Sequence, residues 1–238
     1  VTLYVYNWGE YISDGTEGSL DVNTAFCEWY EREYGVRVKV NYSTYSSNED
    51  LYAKLSSGSV SYDVVIPSDY MIARLAAEGL LHELNPKETV ANYAYIDDNF
   101  KGLYYDENEI WSVPYTYGTV GILYNETMLT EEDLRLVEDC KDWSILWSDN
   151  YPNQIMMFDN PRDAFGIAQF YLGQSVNSTN PKDWDAALEA LKEQNSLVSS
   201  YVMDEVYNKM ENGEAAIAAY YAGDYLTMAD VNPDLAFV

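Results

Sequence analysis

Residues 62–72 read Tyr-Asp-Val-Val-Ile-Pro-Ser-Asp-Tyr-Met-Ile, and this stretch decides the fold. The apolar run that ends at Pro67 predicts a strand with both faces covered. Ser68 and Asp69 are N-cap candidates for a helix that should end at Gly79. Strand and helix alternate in the same way through the first half of the chain. The pattern therefore predicts an α/β fold whose parallel or mixed sheet is wound by crossover helices.

Further elements are predicted on both sides of this stretch. We expect strands at residues 1–6, 36–42, 154–158 and 215–220, and helices at residues 20–34, 47–58, 161–172, 181–192 and 204–210. Four tryptophans in helical patterns are expected in the core: Trp29, Trp143, Trp147 and Trp184. A chain of 238 residues is long for one core, and residues 111–125 look extended and punctuated by glycine. We therefore predict two α/β lobes, residues 1–115 and 116–238.

Charge and composition exclude several classes of function. The chain has 40 acidic and 13 basic residues, a net charge of -27, which argues against nucleic acid or an anionic membrane as a partner. One histidine, His82, and two cysteines, Cys27 and Cys140, are too few for a catalytic triad or a zinc site, and Cys27 is expected to be a small buried apolar group. Phosphate-binding and serine-nucleophile motifs are missing from the sequence. We expect no enzyme activity, no metal and no cofactor.

Aromatic rings lie beside carboxylates at four predicted turns between a strand and a helix. These turns are Trp8-Gly9-Glu10-Tyr11, Ser68-Asp69-Tyr70, residues 159–163 and residues 220–224. In a wound sheet, ligands bind where such turns converge. Ring faces attract ammonium groups and carboxylates neutralise them, so the pattern predicts a site for a linear amine. A structural interpretation stays open, because Asp69, Asp163 and Asp224 would also favour the first turn of a helix through its dipole.

At these residues the sequence resembles the spermidine/putrescine-binding proteins of bacterial ABC importers. Six segments carry the resemblance in the same order over essentially the whole chain: residues 6–11, 42–49, 62–70, 113–119, 159–165 and 221–224. The resemblance implies the type II periplasmic-binding-protein architecture, with two α/β lobes joined by hinge strands and a protonated polyamine between them.

The resemblance also implies roles for particular residues. The aromatic walls of the site would be formed by Trp8, Tyr11, Tyr70 and Tyr221. The ammonium groups would be bound by Asp163 and Asp224, and the neighbouring residues would be Glu10, Ser68 and Asp69. Tyr117 stands where some relatives have tryptophan, and Asn160 stands where some have an acidic residue. The implied partners are the transmembrane permease subunits, and the implied location is outside the cytoplasmic membrane, lipid-anchored as in Gram-positive bacteria.

Members of that family continue well beyond the position where this chain ends, at Val238. We therefore expect a fold that is incomplete at its C-terminus and self-association through exposed sheet edges. Two rival functions stay open. Paired carboxylates with many aromatic rings also suit a carbohydrate-binding protein or a carboxylate-pair glycosidase, and an acidic protein-interaction module would need no small ligand.

Overall fold

The computed structural model describes residues 1–140 and 142–238, without the side chains of Glu17 and Cys140. The chain divides into two compact units, Val1–Thr116 and Tyr117–Val238. Each unit combines a sheet with helices, so the predicted α/β class is confirmed.

The first unit is built on a three-stranded parallel sheet of order β2-β1-β3. Its strands are β1 Thr2–Trp8, β2 Lys39–Tyr45 and β3 Val64–Val65. Its helices are α1 Val22–Tyr34, α2 Asn48–Ser56, α3 Asp69–Ala77 and the single turn α4 Pro86–Thr89, with 3₁₀ turns at Thr16–Gly18, Tyr93–Tyr95 and Asp98–Phe100. The second strand lies three residues later than predicted.

Helix ends in this unit follow from capping residues. Asp21 accepts the amide hydrogen of Thr24 at the start of α1, and Gly35 ends the helix with a φ of 65°. Ser47 accepts the amide hydrogen of Asp50 at the start of α2. The predicted helices over residues 20–34 and 47–58 are therefore confirmed.

The core of this unit lies between its sheet and the helices α2 and α3. It contains two tyrosines of the sheet and three side chains of the helices: Tyr6, Tyr45, Leu51, Met71 and Leu75. By contrast, every residue of α1 keeps some exposure, and Trp29 is 42% exposed. The prediction that Trp29 is a core residue is wrong, because its ring packs on Phe26, Tyr30 and Tyr34 of its own segment.

The predicted strand at residues 62–67 is also much shorter in the structure. β3 has two residues and pairs with β1 at the edge of the sheet. Val64 is 42% exposed, so the expectation that both faces of this strand are covered is wrong. A run of apolar residues does not distinguish a central strand from an edge strand.

The second unit contains a five-stranded mixed sheet of order β6-β5-β7-β4-β8. Its strands are β4 Val120–Asn125, β5 Ile155–Phe158, β6 Val198–Val202, β7 Ile217–Tyr221 and β8 Leu235–Phe237. Its helices are α5 Glu131–Arg135, α6 Pro161–Tyr171, α7 Pro181–Gln194, α8 Val206–Glu211 and α9 Ala222–Val231, with a π turn at Leu136–Cys140 and a 3₁₀ turn at Trp143–Trp147. β7 runs parallel to β5 and antiparallel to β4.

The centre of this sheet is the core of the second unit. All four residues of β5 and the first four of β7 are buried. Trp143 and Trp147 pack against this core as predicted. α6 and α9 begin directly after β5 and β7, so their first turns lie at the carboxyl ends of two neighbouring parallel strands.

The last strand packs closely on β4. The backbone groups of Ile122 and Val238 exchange two hydrogen bonds, at 2.8 and 3.1 Å. A Cβ at Gly121 would overlap the Val238 carbonyl oxygen and would lie 2.5 Å from Cζ of Phe237. Glycine is therefore required at residue 121 for β8 to join the sheet. In the described part of the chain, every helix is too short or too polar to cross a bilayer.

Candidate binding site

Two carboxylates lie in corresponding positions of the second unit. Asp163 is in the first turn of α6 and Asp224 is in the first turn of α9. The strands that precede these helices, β5 and β7, are paired neighbours. The positive end of each helix dipole favours the ionised carboxylate. The sheet therefore places both acidic groups at the carboxyl ends of neighbouring strands, although residues 163 and 224 are 61 positions apart in the sequence.

Asp163 is held by two donors. Its Oδ2 accepts the Tyr221 hydroxyl at 2.6 Å and Nδ2 of Asn160 at 2.8 Å. Oδ1 of Asn160 accepts the Arg162 amide hydrogen at 3.0 Å as the cap of α6. This cap fixes the orientation of the Asn160 amide, so its NH₂ group points toward Asp163. Asn160 is thus a neutral neighbour that stabilises the charge of Asp163.

Tyr221 supplies both a donor and an aromatic surface. Burial, with the nearby Asp163 carboxylate as the next cause, raises the pKa of Tyr221 well above its usual range. The phenol therefore keeps its proton and donates it to Asp163. Its ring centroid lies 4.9 Å from that of Phe158 and 5.2 Å from that of Tyr220. Rings and carboxylate meet at the end of β7, where the sequence predicts them.

Asp224 is held by a residue that sequence reasoning missed. The Tyr207 hydroxyl, on α8, donates to Oδ1 of Asp224 at 2.7 Å. Tyr207 lies inside a predicted helix and is separated from Asp224 by 17 residues. Its sequence position is typical of a tyrosine that packs on the core, so a pattern search has no reason to select it.

The first unit carries a separate aromatic cluster at the end of its central strand. Trp8 is the last residue of β1, whereas we predicted that it lies just past the strand. Its ring centroid is 4.7 Å from that of Tyr45, whose hydroxyl donates to the Ile66 carbonyl. Burial raises the pKa of Tyr45 far above its usual range, so this donor also keeps its proton.

Asn48 organises the turn between β3 and α3. This asparagine is 1% exposed, and its Nδ2 donates to the Ser68 hydroxyl and to the Tyr70 hydroxyl, both at 3.0 Å. Its Oδ1 accepts the Ser68 amide hydrogen at 3.2 Å. The Tyr70 hydroxyl in turn donates to Oε1 of Glu49 at 3.1 Å. We predicted Asn48 and Glu49 only as residues of the helix over residues 47–58, so their contacts with Ser68 and Tyr70 were not predicted.

The remaining predicted residues of this unit lie nearer its surface. Oδ1 of Asp69 accepts the Tyr70 amide hydrogen at 2.6 Å, and its Oδ2 accepts the Tyr104 hydroxyl at 2.9 Å. Tyr11 is 38% exposed and its ring centroid lies 5.5 Å from that of Tyr115. The Tyr115 hydroxyl donates to the Tyr11 carbonyl at 2.7 Å. Glu10 is exposed. Tyr104 and Tyr115 are further contacts that sequence reasoning missed.

Tyr117 is the first residue of the second unit and is 74% exposed. Within each unit, the structure brings some of the predicted residues together: Asp163 with Tyr221, and Ser68 with Tyr70 through Asn48. In the described residues, no group of three or more histidine, cysteine or acidic side chains could hold a metal ion. An amide and a hydroxyl donate to Asp163 and a hydroxyl donates to Asp224. Ionised carboxylates of this kind form strong, charge-assisted hydrogen bonds with ammonium groups.

Comparison with known proteins gives consistent matches. Residues 25–238 match the family model of the bacterial extracellular solute-binding proteins. The spermidine/putrescine-binding periplasmic protein of Salmonella typhimurium is 32% identical over 223 residues, which cover 93% of this chain and 59% of that protein.

Two solved structures extend the comparison. The spermidine/putrescine ABC transporter substrate-binding protein of Streptococcus pneumoniae has a TM-score of 0.70 and 31% identity, and the match covers 100% of this chain and 67% of that one. A lipoprotein of Treponema pallidum has a TM-score of 0.78 and 25% identity, with coverage of 100% and 69%. The predicted type II periplasmic-binding-protein architecture is thereby confirmed. The chain spans about 59% of the length of the Salmonella relative.

Proposed function

Since this chain belongs to the bacterial extracellular solute-binding proteins, we propose that it captures a protonated linear polyamine, of the putrescine or spermidine type, for an ABC importer. The observation that carries the proposal is the pair Asp163 and Asp224, each beside aromatic rings and each held by a tyrosine hydroxyl. The relatives described above, whose names refer to spermidine and putrescine, support the same ligand class.

Charge explains why carboxylates would dominate the binding. An ammonium group that is buried without a counter-charge costs several kcal/mol. Asp163 and Asp224 would each neutralise one such group. A cation over a ring contributes about 0.5 to 2 kcal/mol, and each buried methylene contributes about 0.8 kcal/mol. The ring of Tyr221, which packs against the buried rings of Phe158 and Tyr220, would therefore add affinity along the chain of the amine.

We assign a supporting role to the cluster of the first unit. Trp8 and Tyr70 present aromatic surface, Asp69 presents a carboxylate, and Asn48 fixes the position of Tyr70 and Ser68. Glu10, Tyr11 and Tyr117 stay candidate contacts, because each is exposed. Replacing Trp8 by leucine should weaken amine binding if this cluster takes part.

The cellular setting follows the same proposal. We place the protein outside the cytoplasmic membrane, with the transmembrane subunits of a permease as its partner and a lipid as its anchor. Self-association stays a prediction, and the edge strands of the two sheets are the features that it would use. Sedimentation velocity at several protein concentrations would test it.

A matched pair of variants tests the function. Asn180-Pro181-Lys182-Asp183 repeats the arrangement of Asn160-Pro161-Arg162-Asp163 at the start of another helix, α7. Oδ1 of Asn180 accepts the Lys182 amide hydrogen at 3.2 Å, and its Nδ2 donates to Oδ1 of Asp183 at 3.1 Å. Asp183→Asn therefore makes the same change in the same type of helix cap, away from the proposed site.

Calorimetric titration with putrescine, spermidine and spermine is the measurement. Asp163→Asn should weaken amine binding by about 10-fold or more, equal to about 1.4 kcal/mol, whereas Asp183→Asn should leave the affinity unchanged. Equal effects of the two substitutions would refute the assignment of Asp163. If neither the unmodified chain nor a version extended to the length of the relatives binds any of the three amines, the function itself is wrong and a panel of sugars is the next titration.

A further inference from the structure

The bond between Tyr207 and Asp224 gives α8 a role that the family resemblance does not assign. Tyr207 donates its hydroxyl to Oδ1 of Asp224 at 2.7 Å. The Tyr207 ring is partly buried and packs against the core of the second unit. Packing against the core therefore fixes the position of the Tyr207 ring, and with it the position of the Tyr207 hydroxyl. The position of Oδ1 of Asp224 is set by a side chain that belongs to a different helix.

The two carboxylates are held in related ways. Tyr221 donates to Asp163, and Tyr207 donates to Asp224. In each pair the tyrosine comes from an element other than the one that carries the aspartate. A hydrogen bond to an ionised acceptor is about twice as strong as one between neutral groups, so each hydroxyl restrains its carboxylate firmly. The separation of the two negative charges is thus determined by packing and not by the rotamers of the aspartates.

Restrained carboxylates matter for a flexible ligand. Each additional methylene in a linear diamine moves the second ammonium group outward, and burial of that methylene favours the longer molecule. Mobile carboxylates would follow the ammonium groups, and diamines of different length would bind almost equally well. Discrimination against the wrong length requires acceptors that stay in place.

We propose that Tyr207 is a positioning residue: by fixing Asp224, it sets which length of linear diamine this protein binds best. The inference rests on the proposed function, because it concerns the same two carboxylates. It adds a determinant of selectivity, located in α8, and it identifies α,ω-diamines as the ligand series in which that selectivity is expressed.

The experiment compares two variants that each remove one phenolic oxygen. Tyr207→Phe removes the donor to Asp224 and keeps the ring. Tyr201→Phe is the matched control, because the Tyr201 hydroxyl donates to Oδ1 of Asn195 at 3.1 Å on an exposed part of β6. Affinities for 1,3-diaminopropane, putrescine, cadaverine and 1,6-diaminohexane are measured by calorimetry on the 238-residue chain, and a thermal melt verifies folding of each variant.

The decisive quantity is the selectivity ratio, which is the affinity for the diamine that binds best divided by the affinity for the diamine that binds worst. We expect Tyr207→Phe to reduce this ratio by 5-fold or more and Tyr201→Phe to leave it unchanged. A Tyr207→Phe variant that changes the affinities for all four diamines by the same factor, or changes none of them, would overturn the role of Tyr207. A merely structural role would change overall affinity and leave the ratio in place.

A second variant covers the case in which Tyr207→Phe does not fold. Asp224→Glu keeps the charge and extends the carboxylate by one methylene, so the preferred diamine should become shorter. An unchanged preference would mean that the position of this carboxylate does not select length, and the proposal would fail. If neither the unmodified chain nor a version extended to the length of the relatives binds any of the diamines, the proposed function fails and the role of Tyr207 fails with it. If either version binds them and Tyr207→Phe keeps the ratio, the function stands without this role.

Discussion

The Tyr221 hydroxyl donates to Oδ2 of Asp163 at 2.6 Å and so joins two residues that are 58 positions apart in the sequence. Tyr221 ends β7, and Asp163 lies in the first turn of α6 after β5. Because β5 and β7 are neighbours in the sheet, this single bond links the ends of two core strands at the place where the sequence predicts an amine site. Burial raises the pKa of Tyr221 well above its usual range, so the phenol keeps its proton and stays a donor as the pH rises above neutral.

Tyr221→Phe should weaken putrescine binding by about 10-fold, because hydrogen bonds to charged groups contribute about 1.5 to 3 kcal/mol and part of this is kept by Asn160. The ring and its contacts with Phe158 and Tyr220 remain in the variant. Calorimetric titration measures the change, and Tyr201→Phe is again the control. Affinity equal to that of the unmodified chain would show that Asp163 does not depend on this donor.

Asn48→Ala should lower the free energy of unfolding by about 1 to 3 kcal/mol, because a partly buried donor and a partly buried acceptor lose their partner. The affected groups are the Ser68 amide and the Tyr70 hydroxyl. Urea denaturation measures the effect, and Asn41→Ala, on the exposed side of β2, is the control. A loss no larger than that of the control would contradict the role assigned to Asn48.

Asp133→Asn should destabilise the second unit in a manner that depends on pH. Burial raises the pKa of Asp133, but donors from Tyr151, Thr130 and Asn150 outweigh it, and the net pKa lies below the ordinary 3.8. A depressed folded pKa means that the carboxylate contributes stability above about pH 4 and that this contribution is lost as the pH falls through the folded value.

Urea unfolding near neutral pH should therefore show a loss of about 1 to 3 kcal/mol in Asp133→Asn, and a smaller loss at about pH 3. The exposed Asp149 lies on a nearby segment, and Asp149→Asn is the control for the change of charge. A difference between Asp133→Asn and the unmodified chain that stays constant from pH 7 to pH 3 would rule out the ionised carboxylate as its source.

Gly121→Ala should displace β8, since the added methyl group overlaps the Val238 carbonyl and the Phe237 ring. We expect a stability loss of about 1 to 3 kcal/mol and faster amide exchange at residues 235–237. Gly118→Ala is the matched control, because a Cβ at Gly118 would meet nothing within 4 Å. Unchanged exchange at the three residues would mean that the strand accommodates the methyl group.

The sequence predicted those elements best whose ends carry local signals. Gly35 ends α1, Ser47 caps α2, and Pro161 and Pro181 begin α6 and α7, and each of these signals acts within one helical turn. Burial was harder to predict, because Trp29 has helical spacing but packs along its own helix. The two-residue length of β3 depends on its place at the sheet edge, which is a property of the tertiary fold.

For the candidate site, the turns that carry Asp163, Tyr221 and Asp224 could be selected from the sequence, because rings and carboxylates are adjacent there. Tyr207 and Asn48 could not be selected from the sequence, because their partners are 17 to 22 residues away and their own positions are typical of helix residues. Aromatic and acidic residue types indicate the kind of ligand. The donors that hold them in place depend on which elements the fold brings together.

The order of strands in the second sheet also determines when this site can form. β7 lies between β5 and β4, yet it follows both of them in the chain. During synthesis, which proceeds from the N-terminus, β4 and β5 are complete before β7, the strand that lies between them. Pairing of strands that are distant in the sequence is slow to form. Until Tyr221 has been synthesised, Asp163 cannot accept the hydrogen bond from its hydroxyl. Amine binding would therefore report that the whole sheet has assembled, and free amine would favour the completed fold over partly assembled intermediates.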